Sequence, residues 1–169
     1  GNSPDDGIYV LLKEVLDNCI DEHMMGYGKQ LDIKVEGKTV TVRDYGRGVP
    51  LGKGVGGVSK INTGAKYDSK AFQKSVGLNG VGTKAVNALS HYFKVMAVRD
   101  GKQKTAEFER GVLTQEHKEV KSDESNGTLV TFIPDDTVFR NFHFKQEYIE
   151  NLLWNYCYLN AGLVITFND

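Results

Sequence analysis

The feature that most constrains the fold is a glycine-rich segment from residue 45 to residue 82 that has almost no helix or strand pattern. A short helix at about residues 58–62 is the one regular element predicted within it. Loops of this length are uncommon in compact domains, and those that occur are more often functional than accidental. We therefore expect the elements on both sides of the segment to supply the core, and the segment itself to contribute to a site.

A helix and a β-hairpin are predicted before this segment. Ser3 can cap a helix whose first residue is Pro4, and the acidic residues that follow suit the positive end of the helix dipole. The helix is expected to run to about residue 25, where two glycines end it. Residues 31–35 and 40–44 then alternate between apolar and polar side chains, which predicts two strands paired around a short turn.

A longer series of elements follows the segment. Apolar periodicity and turn residues predict a helix, four strands, a helix and a strand, in the order 82–90, 92–98, 105–110, 115–120, 128–133, 145–160 and 163–167. The length of 169 residues, with 40% hydrophobic and 25% charged residues, is typical of one globular domain with a full core. We therefore expect an α+β fold in a single domain, residues 1–169, with helices packed over one mostly antiparallel sheet.

Charge and composition exclude several classes of function. The 21 basic and 22 acidic residues are spread along the chain and give a net charge of −1, so direct DNA binding by this chain is not expected. No apolar run approaches the roughly 20 residues that cross a bilayer, and no secretory signal is found, which indicates a soluble protein inside the cell. Cys19 and Cys157 are predicted to be reduced core thiols. The four histidines show no metal-ligand spacing, and no nucleophile motif is found.

One face of the first predicted helix carries an unusual set of polar residues. Glu14, Asn18 and Asp21 fall on that face at spacings of four and three residues. A solvated acidic stripe would explain the two carboxylates. Asn18, however, adds an uncharged amide oxygen, and such an oxygen beside carboxylates suits Mg²⁺, a hard cation that takes few protein ligands. A solvated face and a metal-binding face both stay open as interpretations.

The motif Asp44-x-Gly46-x-Gly48 follows directly on a predicted strand. An aspartate in that place can accept a hydrogen bond from an exocyclic amine, and the two glycines let a flat ring approach the backbone. The same residues are also common in plain strand-to-loop turns. Gly127-Thr128 is similarly ambiguous, because the threonine hydroxyl can donate and accept near a base, or the residue can simply begin a strand after a turn.

The glycine-rich run at residues 77–82 opens the next predicted helix, so its free backbone N–H groups and the helix dipole favour an anion there. Its spacing, G-x-x-G-x-G, differs from the dinucleotide-binding pattern, and the next residues, Thr83 and Lys84, do not complete a P-loop. Phosphate binding by backbone N–H groups is the function that remains, and it agrees with a chain that lacks a basic patch.

Taken together, these motifs resemble those of the GHKL ATPase family, which is shared by gyrase, heat-shock chaperones, histidine kinases and MutL. They occur in the order Glu14-x-x-Asp17-Asn18-x-x-Asp21, Asp44-x-Gly46-x-Gly48, Gly77-Leu78-x-Gly80-Val81-Gly82 and Gly127-Thr128. Within the family, the stretches 17–22, 47–50, 63–68 and 82–90 are similar to the B subunits of the bacterial type II DNA topoisomerases, gyrase and topoisomerase IV. Residues 21–28 and 75–79 look more like topoisomerase IV. The resemblance implies a two-layer α/β sandwich of the Bergerat type.

The resemblance also implies that the chain binds ATP with Mg²⁺ and takes part in ATP hydrolysis. Glu14 would be the general base that takes a proton from the attacking water, Asn18 would ligate Mg²⁺, and Asp44 would bind the adenine amino group. Phosphoryl transfer needs positioning and charge neutralisation more than covalent help, which agrees with these residue types. The other implied roles are water-mediated help to Asp44 from Gly48 and Thr128, support from Asp17 and Asp21, a wall formed by Arg47 and Pro50, and a phosphate-binding lid formed by the backbone of Gly77, Leu78, Asn79, Gly80, Val81 and Gly82.

Partners follow from the same resemblance. The ATP cycle would drive dimerisation with a second B subunit and, with the topoisomerase A subunit, DNA strand passage in the bacterial cytoplasm. DNA would be contacted only through other domains, no membrane would be involved, and adenine-site inhibitors would bind at Asp44. The N-terminal dimerisation arm and the transducer domain, whose lysine reaches the γ-phosphate, are expected outside residues 1–169. The chain by itself is therefore expected to bind ATP with little turnover.

Two departures from the family pattern affect the expected site. Val76 replaces the first glycine of the usual Gly-Gly-Leu loop, so the lid hinge is expected to be stiffer on that side. An arginine that the family often carries after the Asp-Gly turn corresponds to Thr105, which leaves an arginine wall contact open.

Two alternative functions make different demands on the sequence. A member of the mismatch-repair or chaperone branch would lack the 63–68 stretch, and the presence of Glu14 argues against a non-enzymatic nucleotide sensor.

Overall fold

The computed structural model of the protein describes residues 4–49 and 81–169, which contain three helices and eight strands. The helices are α1 (Pro4–Met24), α2 (Val81–Ala88) and α3 (Gln146–Leu159). The strands are β1 (Gln30–Glu36), β2 (Thr39–Asp44), β3 (Ser90–Arg99), β4 (Lys102–Glu109), β5 (Val112–Glu116), β6 (Val120–Lys121), β7 (Gly127–Pro134) and β8 (Val164–Phe167). The helix predicted at residues 58–62 lies outside the described residues. None of these three helices is long and apolar enough to cross a membrane.

All eight strands belong to one sheet, in the order β5-β4-β3-β7-β2-β1-β8, with β6 also paired to β4. The pairings are antiparallel except the one between β1 and β8, which is parallel. A parallel neighbour needs a crossover connection, and α3 lies in the chain between β7 and β8. The architecture is therefore the predicted α+β class with a mostly antiparallel sheet.

The strand predicted at residues 115–120 is displaced, because only its first two residues lie in β5 and only its last lies in β6. The chain turns at Arg110 and Gly111, whose φ angles are 47° and 85°, and β5 begins directly afterwards at Val112. Positive φ at both central residues is the requirement of a type I′ hairpin turn, which Asn-Gly signals more strongly than Arg-Gly does. The prediction missed this turn and placed the strand too late. The helix predicted at residues 82–90 also ends early, at Ala88, because Ser90 already belongs to β3.

The core lies between the sheet and one face of α1. Ile8, Leu12 and Leu16 recur every four residues along this helix and are completely buried. They belong to the same apolar cluster as Val42 on β2 and Phe132 on β7. Complete burial of each such side chain contributes roughly 1.5–3 kcal/mol, so this face fixes α1 across the central strands.

The register of the central strands brings three strand ends together. Arg43 on β2 pairs with Leu129 on β7, so the end of β2 lies beside the start of β7. Val98 pairs with Gly127, which brings the end of β3 to the same place. Gly127 has a φ of 144°, and a Cβ there would collide with the backbone carbonyl of Asp44 and the Arg43 guanidinium. A glycine is therefore required for β7 to start this close to the end of β2.

Candidate functional site

A cavity of about 540 Å³ lies beside these strand ends and between them and α1. Its apolar wall contains Val15 from α1, Val86 from α2, and Phe93, Val95 and Val130 from the sheet. Its polar side chains are those of Asn18, Cys19, Asp21, Glu22, Asp44, Arg47, Thr83, Arg99 and Thr128. An apolar cavity with a few convergent polar groups is the usual form of a small-molecule site.

Asp44 is the carboxylate at the centre of the cavity's polar side. Its Oδ1 accepts hydrogen bonds from the backbone N–H of Gly46 at 3.0 Å and of Thr128 at 3.2 Å. Its Oδ2 lies 3.6 Å from the Cys19 sulfur. Burial raises the pKa of Asp44 above its usual value, although these hydrogen bonds and the charge of Arg43 oppose the rise. The result is a largely desolvated acceptor that is fixed in place by neutral donors.

Arg47 forms one wall of the cavity through a two-point contact with Glu22. Its Nη2 lies 2.8 Å from Glu22 Oε1, its Nε lies 3.1 Å from Oε2, and its guanidinium lies 4.3 Å from the centre of the Tyr27 ring. The hydrogen bonds from Arg47 hold the pKa of Glu22 below its usual value, with a smaller contribution from the charge of Arg99. An acid and an aromatic ring therefore fix a flat cationic surface of the kind that stacks on aromatic ligands.

Arg99 lines the cavity, although it belongs to none of the sequence motifs. It ends β3 on the same face as Phe93 and Val95, because side chains two residues apart share a face of a strand. Counting in twos from Phe93 is the signal that would have found it. Thr105 pairs with Met96 and therefore lies on the opposite face of the sheet from Val95. The arginine on the sheet side of the cavity thus comes from Arg99, before the turn, and not from the position of Thr105.

Asn18 is held at the cavity by a contact with α2. Its Nδ2 donates a hydrogen bond to Thr83 Oγ1 at 2.8 Å, which leaves Oδ1 able to bind a cation. Within residues 4–49 and 81–169, no group of three or more His, Cys, Asp or Glu side chains is placed to hold a metal ion. Asn18 Oδ1 is an amide oxygen of the kind that binds a hard cation, and it lies at this side of the cavity. Thr83 is thus a residue of the candidate site that no sequence motif predicted.

Glu14 and Asp17 lie earlier on α1 and are not among the residues that line the cavity. Glu14 is half-buried one turn before Asn18. Asp17 is exposed, and its Oδ1 accepts a hydrogen bond from Tyr156 Oη at 2.8 Å, which joins α1 to α3. Burial raises the pKa of Tyr156 and the Asp17 carboxylate raises it further, so this hydroxyl stays a donor. Of the predicted residues on this helix, the structure places Asn18 and Asp21 at the cavity.

The predicted phosphate-binding run lies only partly within the described residues. Pro50 and the residues Gly77, Leu78, Asn79 and Gly80 lie outside them. Val81 and Gly82 form the first turn of α2, which continues directly into the cavity-lining Thr83. This end of α2 therefore lies beside the cavity.

The chain is similar to known ATPases along its whole length. Residues 4–138 match the family described as histidine kinase-, DNA gyrase B-, and HSP90-like ATPase. The chain is 51% identical over 169 residues to the B subunit of DNA topoisomerase 4 from Borreliella burgdorferi, and 36% identical over 180 residues to the B subunit of DNA gyrase from Thermus thermophilus. Both alignments cover 100% of this chain and 28% of the relative, so the chain spans a little over a quarter of these relatives' length.

Two solved structures share the fold. One is the 43K ATPase domain of Thermus thermophilus gyrase B in complex with an aminocoumarin, with a TM-score of 0.76, 32% identity, and coverage of 97% of this chain and 44% of that one. The other is the topoisomerase IV ATP-binding domain of Francisella tularensis in complex with a small-molecule inhibitor, with a TM-score of 0.75, 25% identity, and coverage of 93% and 79%. These likenesses confirm the predicted fold class and the predicted family resemblance.

Proposed function

The chain belongs to the histidine kinase-, DNA gyrase B-, and HSP90-like ATPase family, and we propose that its cavity binds ATP together with Mg²⁺. The observation that carries the proposal is the set of contacts at Asp44. The hydrogen-bond partners of its carboxylate among the described residues are neutral donors, and a buried carboxylate so placed is costly to ionise unless it has a ligand to bind. The amino group of adenine is such a ligand.

The adenine ring is assigned to the part of the cavity at Asp44. The two backbone N–H groups hold Oδ1, so Oδ2 keeps acceptor capacity for the exocyclic amine. Val95 and Val130 supply apolar surface for the faces of the ring. Gly48 and Thr128 line the same part of the cavity and are proposed to assist Asp44 through a bound water.

The phosphates are assigned to the side of the cavity between α1 and α2. The first turn of α2, with Val81 and Gly82, offers backbone N–H groups to an anion. Asn18 would hold Mg²⁺, and the ion, when bound, neutralises charge on the phosphates. Glu14, one helical turn before Asn18, is the proposed general base for the attacking water. Asp21 supports this side of the cavity.

For the longer protein we propose the B subunit of a bacterial type II DNA topoisomerase. Topoisomerase IV is favoured over gyrase, since the identity to the Borreliella burgdorferi topoisomerase 4 chain is 51% and to the Thermus thermophilus gyrase chain 36%. The proposed ATP cycle closes two B subunits on each other and drives strand passage with the A subunit, while other domains contact DNA in the cytoplasm. The two solved relatives carry inhibitors, and we propose that such inhibitors compete with ATP at Asp44.

Calorimetric titration of the chain with Mg-ATP tests the nucleotide site. We expect saturable binding that Asp44→Ala weakens by roughly a hundredfold, because a hydrogen bond to a charged group is lost from a desolvated site. Asp123→Ala, which removes an exposed aspartate after β6, is the matched control and should bind as the wild type does. Wild-type affinity in the Asp44→Ala variant would show that adenine does not bind there.

Hydrolysis is tested in the full-length protein, by phosphate release. Glu14→Gln keeps the shape of the side chain but removes the base, so we expect ATP binding to persist while turnover falls roughly a hundredfold or more. Glu147→Gln, an exposed change in the first turn of α3, is the control and should leave turnover unchanged. Unchanged turnover in Glu14→Gln would remove Glu14 from the mechanism.

A further inference from the structure

The cavity contains a thiol that the proposed ATP chemistry does not use. Cys19 lies on α1, directly after Asn18, and is 6% exposed, yet it is one of the residues that line the cavity. Its sulfur lies 3.6 Å from Asp44 Oδ2, the carboxylate oxygen that the backbone N–H groups do not occupy. The thiol and the proposed adenine amine therefore meet at the same oxygen.

The thiol at this place is a hydrogen-bond donor. A thiol has one S–H group to donate, and Asp44 Oδ2, 3.6 Å from the sulfur, is its acceptor. A carboxylate oxygen has two lone-pair sites, so one weak S–H donor leaves room for a stronger N–H donor on the same oxygen.

We propose that Cys19 is a positioning residue for nucleotide recognition, in which its thiol donates to Asp44 Oδ2 and holds that oxygen ready for the amino group of the base. The inference rests on the proposed assignment of adenine to Asp44. Two N–H donors fix one oxygen and the thiol fixes the other, so the carboxylate is oriented before the ligand arrives. Such preorganisation strengthens binding because less freedom is lost on association.

The thiol also affects the charge on Asp44. Burial raises the pKa of Asp44, and the hydrogen bonds from Gly46, Cys19 and Thr128 lower it again. Arg43 lies beside this carboxylate on β2, and the other carboxylate, histidine and arginine side chains of the described residues that line cavities with it are Asp21, Glu22 and His23 on α1, Arg47 after β2, and Arg99 on β3. Removal of the thiol should therefore raise the pKa of Asp44 further and make binding of the amine fail at a higher pH. A residue that only fills space would not have this effect.

The test is the pH dependence of Mg-ATP affinity in Cys19→Ala, Cys19→Ser and Cys157→Ala, measured by calorimetry. Cys157 is the other free thiol, half-buried on α3 and outside the cavity, so its variant is the matched control. We expect Cys19→Ala to bind roughly fivefold more weakly at neutral pH, as for the loss of one modest hydrogen bond. Its loss of binding on acidification should begin at a higher pH than in the wild type. Cys19→Ser should restore the wild-type pH profile, and Cys157→Ala should match the wild type throughout.

Two results would overturn the inference. One is a Cys19→Ala profile that has the wild-type midpoint, whether or not affinity falls uniformly, and the other is a Cys19→Ser variant that behaves like Cys19→Ala. The infrared S–H stretching band of the wild-type protein gives a second test, which does not depend on a shift in the pKa of Asp44. The Cys19 band, identified by its absence from Cys19→Ser, should lie at lower frequency than that of an unbonded thiol, and an unbonded frequency would also refute the donor role.

The two proposals fail in different ways. If Asp44→Ala binds Mg-ATP as the wild type does, the assignment of adenine is wrong. If Asp44→Ala loses binding while Cys19→Ala keeps the wild-type pH profile, the nucleotide site stands and only the role of the thiol is refuted.

Discussion

The two ends of β7 (Gly127–Pro134) each lie beside an aspartate, and the two carboxyls are held in opposite ways. At the start of the strand, Asp44 accepts backbone N–H groups and faces a thiol, and burial raises its pKa. Directly after the end of the strand, burial would also raise the pKa of Asp135, but hydrogen bonds from Arg110 and Thr137 outweigh it and lower the pKa to about 2. Both carboxyls are buried, so the direction in which each pKa shifts depends on the hydrogen-bond partners.

The contrast separates a carboxylate that stabilises the fold from one that is available to a ligand. Asp135 accepts the Nε of Arg110 at 2.8 Å and both the N–H and the hydroxyl of Thr137, at 3.0 and 2.8 Å. Its acceptor sites are filled by the protein itself. The carboxylate of Asp44 opens onto the cavity, and among the described residues its hydrogen-bond partners are two backbone N–H groups and a thiol, while Arg43 bonds only the backbone carbonyl of Asp44. It is the aspartate whose charge a ligand can still satisfy.

Asp135→Ala should produce the largest change in stability of the substitutions at these two sites. It removes three hydrogen bonds to a buried carboxylate, and because Arg110 is half-exposed, water compensates part of the loss. We expect the free energy of unfolding to fall by roughly 1–2 kcal/mol in urea denaturation, with Mg-ATP affinity unchanged. Asp136→Ala, at the exposed next residue, should leave both quantities unchanged. If a folded Asp135→Ala variant lost affinity for Mg-ATP, the distinction between a carboxylate that stabilises the fold and one that is available to a ligand would be wrong.

The pH dependence of stability should differ in sign between the two aspartates. The lowered pKa of Asp135 gives stability that is present above the pKa of the unfolded chain and is lost as the pH falls from about 4 towards 2. The raised pKa of Asp44 means that the folded state binds its proton more tightly, so the contribution of Asp44 to stability decreases as the pH rises above about 4 and through the raised pKa. Asp44→Asn should therefore be at least as stable as the wild type at neutral pH, while Asp135→Asn should be less stable. Urea denaturation at pH 7, pH 4 and pH 2 measures both, and an Asp44→Asn variant destabilised at pH 7 would contradict the sign argued for Asp44.

Local patterns predicted those parts of the fold that depend on neighbours in the sequence. The spacing of apolar residues and the Ser3-Pro4 start predicted α1 to within one residue of its observed end at Met24, and alternation predicted both strands of the first hairpin. The motif at Asp44 and the Gly127-Thr128 pair were likewise visible as patterns. The Arg110–Gly111 turn was not, because an arginine with positive φ gives no compositional signal.

Contacts between distant elements could not be read from the sequence. Cys19 and Asp44 are 25 residues apart, as are Glu22 and Arg47, and each pair meets only because α1 crosses the end of β2. Cys19 was predicted to be a reduced core thiol. Its burial agrees with that prediction, but its contact with the Asp44 carboxylate was not predicted. The periodicity of apolar residues predicts one helix or strand at a time. A site forms between elements, and the order in which the strands pair decides which residues meet there.

The Glu22–Arg47 pair extends the comparison to an exposed edge of the cavity, and Glu22→Gln should produce the smallest change. The Arg47 side chain is 44% exposed, so water already screens the pair and stability should barely change. The guanidinium would lose its two-point anchor, however, and we expect Mg-ATP affinity to fall roughly threefold at low salt. Glu36→Gln, which alters an exposed pair with Lys34 away from the cavity, is the matched control. Because salt also weakens the wild-type pair, the difference in affinity between wild type and Glu22→Gln should shrink as ionic strength rises. A salt-independent difference would show that Glu22 acts through packing and not through the orientation of Arg47.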